Sequence, residues 1–499
     1  MTQSLLNWLA FLRVGIFGRA GAVILLMALG GCSNLFSDTG ISVTQTGVGE
    51  QALATTQGAD PDDQTMGQRE HPRILATYGG VYSDRDAEIM LARIVSRLLA
   101  GADQPDAQFR ITILDTPDVN AFALPGGYIY VTRGILALAN NASELAAVLA
   151  HEIAHVTLRH ARARSNRVRT SAIVDRVITG VLGGDVETDQ TVARSRVSLA
   201  AFSQAQELAA DQEGVIIAAR AGFEPQAAAR FLTAMGRYAR LASGADQQGD
   251  DFLSSHPSTP NRVNKAVESA RAFSESVVVD VGRDEYLRAV EGLQFGDNPD
   301  QGAIVGRQFV HPVLGFTFTV PAPYTLEHSA GSVVGVASDG EAVRFDSAQV
   351  PETMSLTDYL QSGWIAGLSP GTVRSHSHND IEMASGEATT DQWKFRVTAV
   401  RFKQEVYRFI FAARKKSAAF KKASSETAAS FRPVRSRDLS KIRKTIVRLV
   451  KAKPGDTTAS LSGKMGRVHN ATKLFLVLNN LYQGDPIETG RSYKIVTVE

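Results

Sequence analysis

Cysteine is almost absent: the 499 residues hold one, Cys32. A single thiol cannot close a disulfide within the chain, so no disulfide framework supports the fold. Long apolar runs are missing too. Nothing approaches the ~20 residues of a membrane-spanning helix, which excludes a polytopic membrane protein. Neither sign of charge dominates: 53 Lys and Arg stand against 51 Asp and Glu, and a net of +2 points to no partner. No repeat recurs at a period of about 20–50 residues, so tetratricopeptide and other solenoids are not indicated. What is present is apolar material, 44% hydrophobic against 21% charged, enough to bury sizeable cores and to exclude a disordered chain. At ~150 residues per domain the length suits about three.

Charge is uneven on a finer scale. Between Arg401 and Lys453 there are 17 Lys and Arg against Glu405, Glu426 and Asp438, a net of +14 that leaves −12 for the rest. Such a block can bind nucleic acid, anionic lipid or an anionic wall polymer, and the compartment must choose. Residues 1–19 carry Arg13 and Arg19 and no acid, and an apolar run follows over 20–29, then Gly30, Gly31 and Cys32. That is a secretory signal pattern; as a helix the run would span only ~18 Å of a ~30 Å hydrocarbon core. Leu29-Gly30-Gly31-Cys32 resembles the lipobox of bacterial lipoproteins, in which the cysteine becomes the lipidated first residue. The following Ser33, rather than Asp, favours outer-membrane sorting in that family. The resemblance implies a signal peptide over 1–31 and a periplasmic protein lipid-anchored through Cys32 to the outer membrane, with a plain cleaved signal as the alternative. In that compartment the basic block meets peptidoglycan or lipopolysaccharide, and nucleic acid is not expected.

Residues 142–163 read as one helix, with Asn141 as cap and Glu144 completing a capping-box-like pattern. Inside it lie His151, Glu152 and His155, the pattern H-E-x-x-H. Residues four apart share a helix face, so both imidazoles can converge on one ion, and Glu152 falls beside it. Neutral imidazole suits zinc, and an open position for water makes such a site catalytic. Chance yields this pattern in about one per cent of chains this long. A second helix over 203–221 carries Glu207 and Asp211 at i, i+4 among Leu208, Ala209 and Ala210. Most acidic pairs are solvated, but buried carboxylates need a cation or a strong donor. Glu207 can be the third zinc ligand, and Asp211 can accept the outer N–H of a ligating imidazole.

Motifs in order then make the chain resemble the M48 zinc metallopeptidases across roughly 71–270. They are His71-Pro72 with Tyr78-Gly79-Gly80-Val81-Tyr82, then Asn120-Ala121-Phe122-Ala123-Leu124-Pro125-Gly126-Gly127, then H-E-x-x-H. Glu207-x-x-x-Asp211 and Ser255-His256-Pro257-Ser258-Thr259-Pro260 with Arg262 follow. The likeness is greatest to the soluble periplasmic branch that degrades misassembled outer-membrane proteins, although this chain lacks the tetratricopeptide tail of some members. The resemblance implies one Zn2+ per chain on His151, His155 and Glu207, with Glu152 as general base and acid. It offers His256 and Arg262 as donors to the oxyanion. It also makes 126–132 a strand near the site, so that Gly126, Gly127, Tyr128, Ile129 and Tyr130 would hold an extended substrate by strand addition. His256 has a second reading, in which its imidazole occupies the fourth zinc position at rest and restrains the enzyme. Residues 162–196 contain an apolar stretch closed by Gly183-Gly184, either a surface helix or a mobile lid.

Beyond 274 strand-like alternation takes over at 309–320, 332–336, 342–345 and 395–411, with a helix over 420–431. His376 and His378 read as a solvated loop. This region vaguely resembles the PsbP-like fold. The last 55 residues, in β-α-α-β order with Pro454-Gly455-Asp456-Thr457 and Leu478-Asn479-Asn480-Leu481, resemble a LysM module, which implies peptidoglycan as a candidate partner.

The expectation is a multidomain chain: a mainly α-helical zincin-type (α+β) metallopeptidase domain, an α+β middle domain and a small β-α-α-β C-terminal domain. Its boundaries are signal peptide 1–31, flexible tether 32–68, peptidase 69–275, linker 276–305, middle domain 306–433, basic linker 434–444 and LysM-like domain 445–499. The expected activity is zinc-dependent endopeptidase action on unfolded or misassembled envelope proteins. The alternative is a non-catalytic periplasmic chaperone or peptidoglycan-associated scaffold retaining the protease fold.

Overall fold

The computed structural model describes residues 41–43, 61–104, 107, 109–160, 202–242, 256, 260–273, 282–329, 332–337, 340–390 and 393–499, which belong to one unit. Cys32 and the 162–196 segment lie outside the described residues. The chain enters through β1 (Ile41–Val43) and α1 (Pro61–Thr77). β1 and the first two turns of α1 fall within the expected tether 32–68; polar surface residues mask the stripe of α1, in which Gly67, Glu70 and Ile74, three and four apart, are buried. In α2 (Arg85–Gly101), Asp84 caps the first turn at Ala87 N, and Leu91, Ile94, Val95 and Leu98 face the core.

A four-stranded sheet follows, with β2 (Phe109–Leu114), β3 (Ala121–Leu124) and β4 (Tyr128–Thr132) in the order β1-β2-β4-β3. β4 runs parallel to β2, with Ile129 opposite Ile111, and antiparallel to β3, with Ile129 opposite Ala123. Gly126 and Gly127 turn the β3–β4 hairpin at φ of 85° and 81°, the left-handed region glycine reaches without a Cβ clash. Among the described residues five helices then follow, α3 (Arg133–Leu138), α4 (Ala142–Thr157), α5 (Gln204–Arg220), α6 (Ala227–Ala242) and α7 (Pro260–Arg271), of which α3 and α4 pack on the sheet. α4 is central, buried from Ser143 to His155, and packs on α5, α6 and β3. The expected linker 276–305 is in fact structured from residue 282 onward as α8 (Arg283–Val290) and β5 (Gln294–Phe295). Tyr286 and Leu287 of α8 bury in the same core.

The middle region builds two further sheets. β6 (Ala303–Val305), β7 (Gln308–His311) and β8 (Phe316–Thr319) form one with a later short strand. The 309–320 run is thus two strands, turned where Pro312 lacks an N–H and Gly315 sits at φ 80°. The larger sheet takes β9 (Thr325–Ser329), β10 (Ser332–Val336) and β11 (Ala342–Ala348). After α9 (Leu356–Gln361) come β12 (Arg374–His378), β13 (Ile381–Thr389), β14 (Lys394–Phe402) and β15 (Glu405–Ala413). Its order is β12-β13-β14-β15-β11-β10-β9. The 395–411 run is therefore a hairpin, reversing at Lys403 with φ 57°. His376 and His378 lie on the edge strand β12, not on a loop: alternation there is of polar residues on both faces, which hides the strand from a hydrophobic pattern. α10 (Ala418–Ala429) packs on this sheet through Phe420, Ala423 and Ala428, and β16 (Arg432–Pro433) joins β8.

The chain closes with β17 (Thr445–Lys451), α11 (Thr458–Gly463), α12 (Ala471–Leu478) and β18 (Ser492–Val498). β17 pairs with β18 on one side and with β5 on the other, Thr445 opposite Phe295. Val447 and Val477 lie in the helical core, and Tyr238 and Leu241 of α6 pack against Phe475 and its neighbours. Lys494 of β18 is fully buried and donates to the carbonyls of Ala137, Leu138 and Ala139 at 2.7, 3.1 and 2.6 Å. Those are end-of-helix carbonyls of α3 that no intrahelical N–H reaches. Among the described residues no helix is long and apolar enough to cross a membrane.

Candidate active site

α4 owes its start to Asn141, whose side chain accepts from Glu144 N at 2.8 Å. Glu144 returns the bond to Asn140 N at 2.8 Å rather than to Asn141, so the expected box is shifted by one residue. α5 has the full box, Ser203 with Gln206. It approaches α4 closely because residue 214 is glycine: a Cβ there would stand 3.0 Å from His151 N. This contact brings the acids of one helix onto the histidines of the other.

His151, His155, Glu207 and His256, all buried, present nitrogen and oxygen atoms within 4.8 Å of one another. His151 Nε2 faces His155 Nε2 at 3.0 Å and His256 Nδ1 at 3.2 Å. Glu207 Oε1 is 3.0 Å from His256 Nδ1 and 3.4 Å from His155 Nε2, and Oε2 is 3.6 Å from His151 Nε2. Three ring nitrogens turned on one another around a carboxylate leave more lone pairs than protons to share. This donor set of imidazole and carboxylate fits a divalent transition metal. Asp211 Oδ1 lies 3.0 Å from His151 Nδ1. A carboxylate there selects the tautomer that aims the Nε2 lone pair at the cluster.

The electrostatics separate the acids. Burial would raise Glu207, but the three imidazoles outweigh it and hold the carboxyl well below its ordinary range. Burial likewise opposes Asp211, which Arg262 and His151 nevertheless bring down to about 2. Glu152 goes the other way, pushed up by burial. It is 1% exposed, its Oε1 lies 3.8 Å from His256 Nε2, and that oxygen has no hydrogen-bond partner. Burial pushes His155 down to about 2, a neutral imidazole suited to ligation. His151 is raised to about 9 against its burial by Asp211 and Glu207.

Arg262, expected as an oxyanion donor, instead binds carboxylates. Its Nε and Nη2 donate to both oxygens of Asp211 at 2.7 Å each, and Nη1 lies 2.9 Å from Glu207 Oε2. The fork holds the acids in place, which makes Arg262 a positioning residue. His256 stands inside the donor cluster, where its Nδ1 can serve as a fourth ligand. Two residues were missed. His160 turns back so that its Nδ1 faces His155 Nδ1 at 3.0 Å, and Phe202 stacks on the His155 ring at 4.0 Å between centroids. Helical spacing conceals His160, because Arg159 takes φ 55° and breaks the rotation that spacing assumes.

The strand-addition reading of residues 126–132 is corrected. β4 is flanked on both sides and its five residues are buried, while Gly126 and Gly127 are the hairpin turn. Tyr130 spends its hydroxyl on His71 Nδ1 at 2.7 Å. Among the described residues the unpaired edges of this sheet belong to β1 and β3, and β3 lies against α4.

Residues 86–270 match the family model for peptidase family M48. The beta-barrel assembly-enhancing protease of Escherichia coli is 31% identical over 40% of this chain and 41% of its own length. That of Yersinia pestis is 32% identical over 34% of this chain and 36% of its own. The mitochondrial metalloendopeptidase OMA1 of Schizosaccharomyces pombe is 28% identical over 41% of this chain and 60% of its own. The chain thus spans about two fifths of the length of the bacterial relatives it matches. The solution structure of cyanobacterial PsbP from Synechocystis matches 26% of this chain and 95% of its own at 14% identity, with a TM-score of 0.21, too slight a likeness to argue from.

Proposed function

We propose that this chain, whose residues 86–270 belong to peptidase family M48, is a zinc-dependent endopeptidase of the bacterial cell envelope acting on unfolded or misassembled envelope proteins. The observation that carries the reading is the buried carboxyl of Glu152, whose Oε1 accepts no hydrogen bond, beside a complete set of metal donors. A scaffold that merely kept the fold would gain nothing from a buried acid with an unsatisfied oxygen, which costs stability.

His151, His155 and Glu207 would hold the ion, and His256 would add a fourth donor at rest. Bound zinc would supply Lewis acidity toward the scissile carbonyl and its attacking water. Glu152 takes the proton from that water and returns it to the leaving amine, a role suited to a carboxyl that burial has raised. Asp211 and Arg262 keep His151 and Glu207 in register. The edge of β3 supports the substrate as an added strand, so main-chain hydrogen bonds carry the affinity and side-chain preference is loose. The name of the bacterial relatives, beta-barrel assembly-enhancing protease, supports envelope substrates. A Cys32 lipid anchor at the outer membrane and peptidoglycan as partner of the β17–β18 region complete the reading.

Purified wild type and Glu152→Gln, both truncated before Cys32, test it by metal analysis and cleavage of unfolded casein. Zinc near one per chain in both, with cleavage by wild type only, is expected. Zinc without cleavage across several unfolded substrates would transfer the protein to the chaperone or scaffold class.

A further inference from the structure

Far along the chain from the metal cluster, the seven-stranded sheet ends in β12, whose five residues are all exposed. β12 pairs only with β13 among the described residues, so its outer backbone groups face outward. Beside it opens a cleft of ≈480 Å³ between the sheet and α10. Arg374, His376 and His378, two residues apart on one face of β12, line this cleft. At ~3.3 Å per residue they form a row about 13 Å long. The floor continues through the paired hydroxyls of Ser385 and Thr398, 2.9 Å apart, to Arg396 on β14.

The charge here is unbalanced. Among the described residues Glu387 is the only acid lining the cleft, and it is already shared between Arg396 at 2.6 Å and Lys416 at 2.5 Å. Arg374 has no carboxylate partner among the described residues. Lys421, exposed on α10, adds to the field that keeps the Glu387 carboxyl below its usual range, Lys416 first. Charge on an edge strand ordinarily serves to repel other strands. A guard, however, needs no cleft, and these N–H donors line one whose floor runs two strands deep.

We propose that β12 and this cleft form a docking site for an extended acidic peptide, which adds as a strand to β12 and directs alternate carboxylates to Arg374, His376 and His378. The open edge supplies the main-chain bonds, and the period-two row of Arg374 and two imidazoles, all N–H donors, selects the side chains. The proposal rests on the proteolytic reading in one respect, that the peptide is a segment of substrate held away from the metal donors.

The test is fluorescence anisotropy of a labelled peptide of about ten residues with alternating Glu and Thr, long enough for one strand, on the full chain carrying Glu152→Gln. Saturable binding that weakens with salt is expected. Exchanging Arg374 and His376 together for Glu should weaken it at least about tenfold by like-charge repulsion. Both side chains are exposed, so an unchanged melting temperature confirms the fold. N-methylation of alternate peptide nitrogens should abolish binding. Equal binding of a Lys-Thr peptide, or binding that survives N-methylation, would overturn the proposal, the latter leaving a bare anion site. So would phosphatidylglycerol vesicles that bind through Arg374 while the peptide does not. Because binding is read apart from cleavage, the outcomes separate: peptide capture together with a wild type that cuts nothing keeps this site and removes the protease, and casein cleavage by wild type without capture does the reverse.

Discussion

Glu207 touches all three imidazoles of the cluster, whereas His160 touches only the outer nitrogen of one. Their loss should therefore differ in degree. Glu207→Ala removes a ligand, and zinc occupancy after dialysis should fall with activity. His160→Ala leaves every donor in place but frees the His155 ring, and metal affinity in a competition titration should drop about tenfold, as for other groups behind a ligand. His256 gives a prediction of sign. If its Nδ1 fills the fourth position at rest, His256→Ala at matched zinc content raises basal casein cleavage; a lower rate would make it a donor to the reaction instead. The ligand pair was legible because i, i+4 spacing on a helix is rigid geometry. His160 and Phe202 were not, since each depends on where the chain goes after the helix has ended.

At the scale of elements, α4 is the one on which the site depends, and its N-terminus is fixed by Asn141. Asn141→Ala should cost about 1 kcal/mol, seen as a lower melting temperature with zinc content unchanged, since the cap lies nearly three turns from His151. The strands teach a different lesson. Tyr128–Thr132 was legible as a strand but not as a central one, although its five residues show no polar face. A run buried on both faces belongs inside a sheet, and an edge would have alternated. Position within a sheet is otherwise a long-range property, set here by β2 arriving parallel from eighteen residues upstream. β12 erred the other way: its pattern lacked apolar residues because both its faces are exposed, so a regular strand passed for a loop.

For the whole molecule the decisive contact is Lys494, a lysine of the last strand that closes the end of α3 immediately before α4. Lys494→Met should destabilise the chain by roughly 2–4 kcal/mol, because three buried carbonyls lose their donor. Burial pushes the Lys494 ammonium down to about 7. With an ordinary value near 10.5 in the unfolded chain, the native state holds fewer protons between those limits. The stability tied to this group is thus full above about 10.5 and is lost as pH falls through about 7. The gap in melting temperature between wild type and Lys494→Met should widen from pH 6 to pH 9. None of this coupling was legible: the C-terminal β-α-α-β order was, but a lysine alternating along a strand reads as solvent-facing until its neighbours are known.

Phe295 and Thr445 lie side by side as strand partners, and Lys444 Nζ reaches Asp300 at 3.1 Å. The polypeptide therefore leaves for the middle region and returns at nearly the same spot. None of the apolar residues that form the cores of residues 304–431 is shared with the helical or C-terminal cores. Topologically the middle region is an insertion in a discontinuous domain, not a bead on a string. Such a segment can be excised at its neck, whereas cutting the chain after residue 296 would strip β5 of its partner and α3 of Lys494. Joining Gly302 to Lys444 through about four Gly and Ser residues spans up to ~13 Å. That shortened chain should fold, retain zinc and still cut short unfolded peptides, while a chain ending at residue 302 should not fold. The expendable part would then be the middle of the sequence, and the indispensable part its last 55 residues.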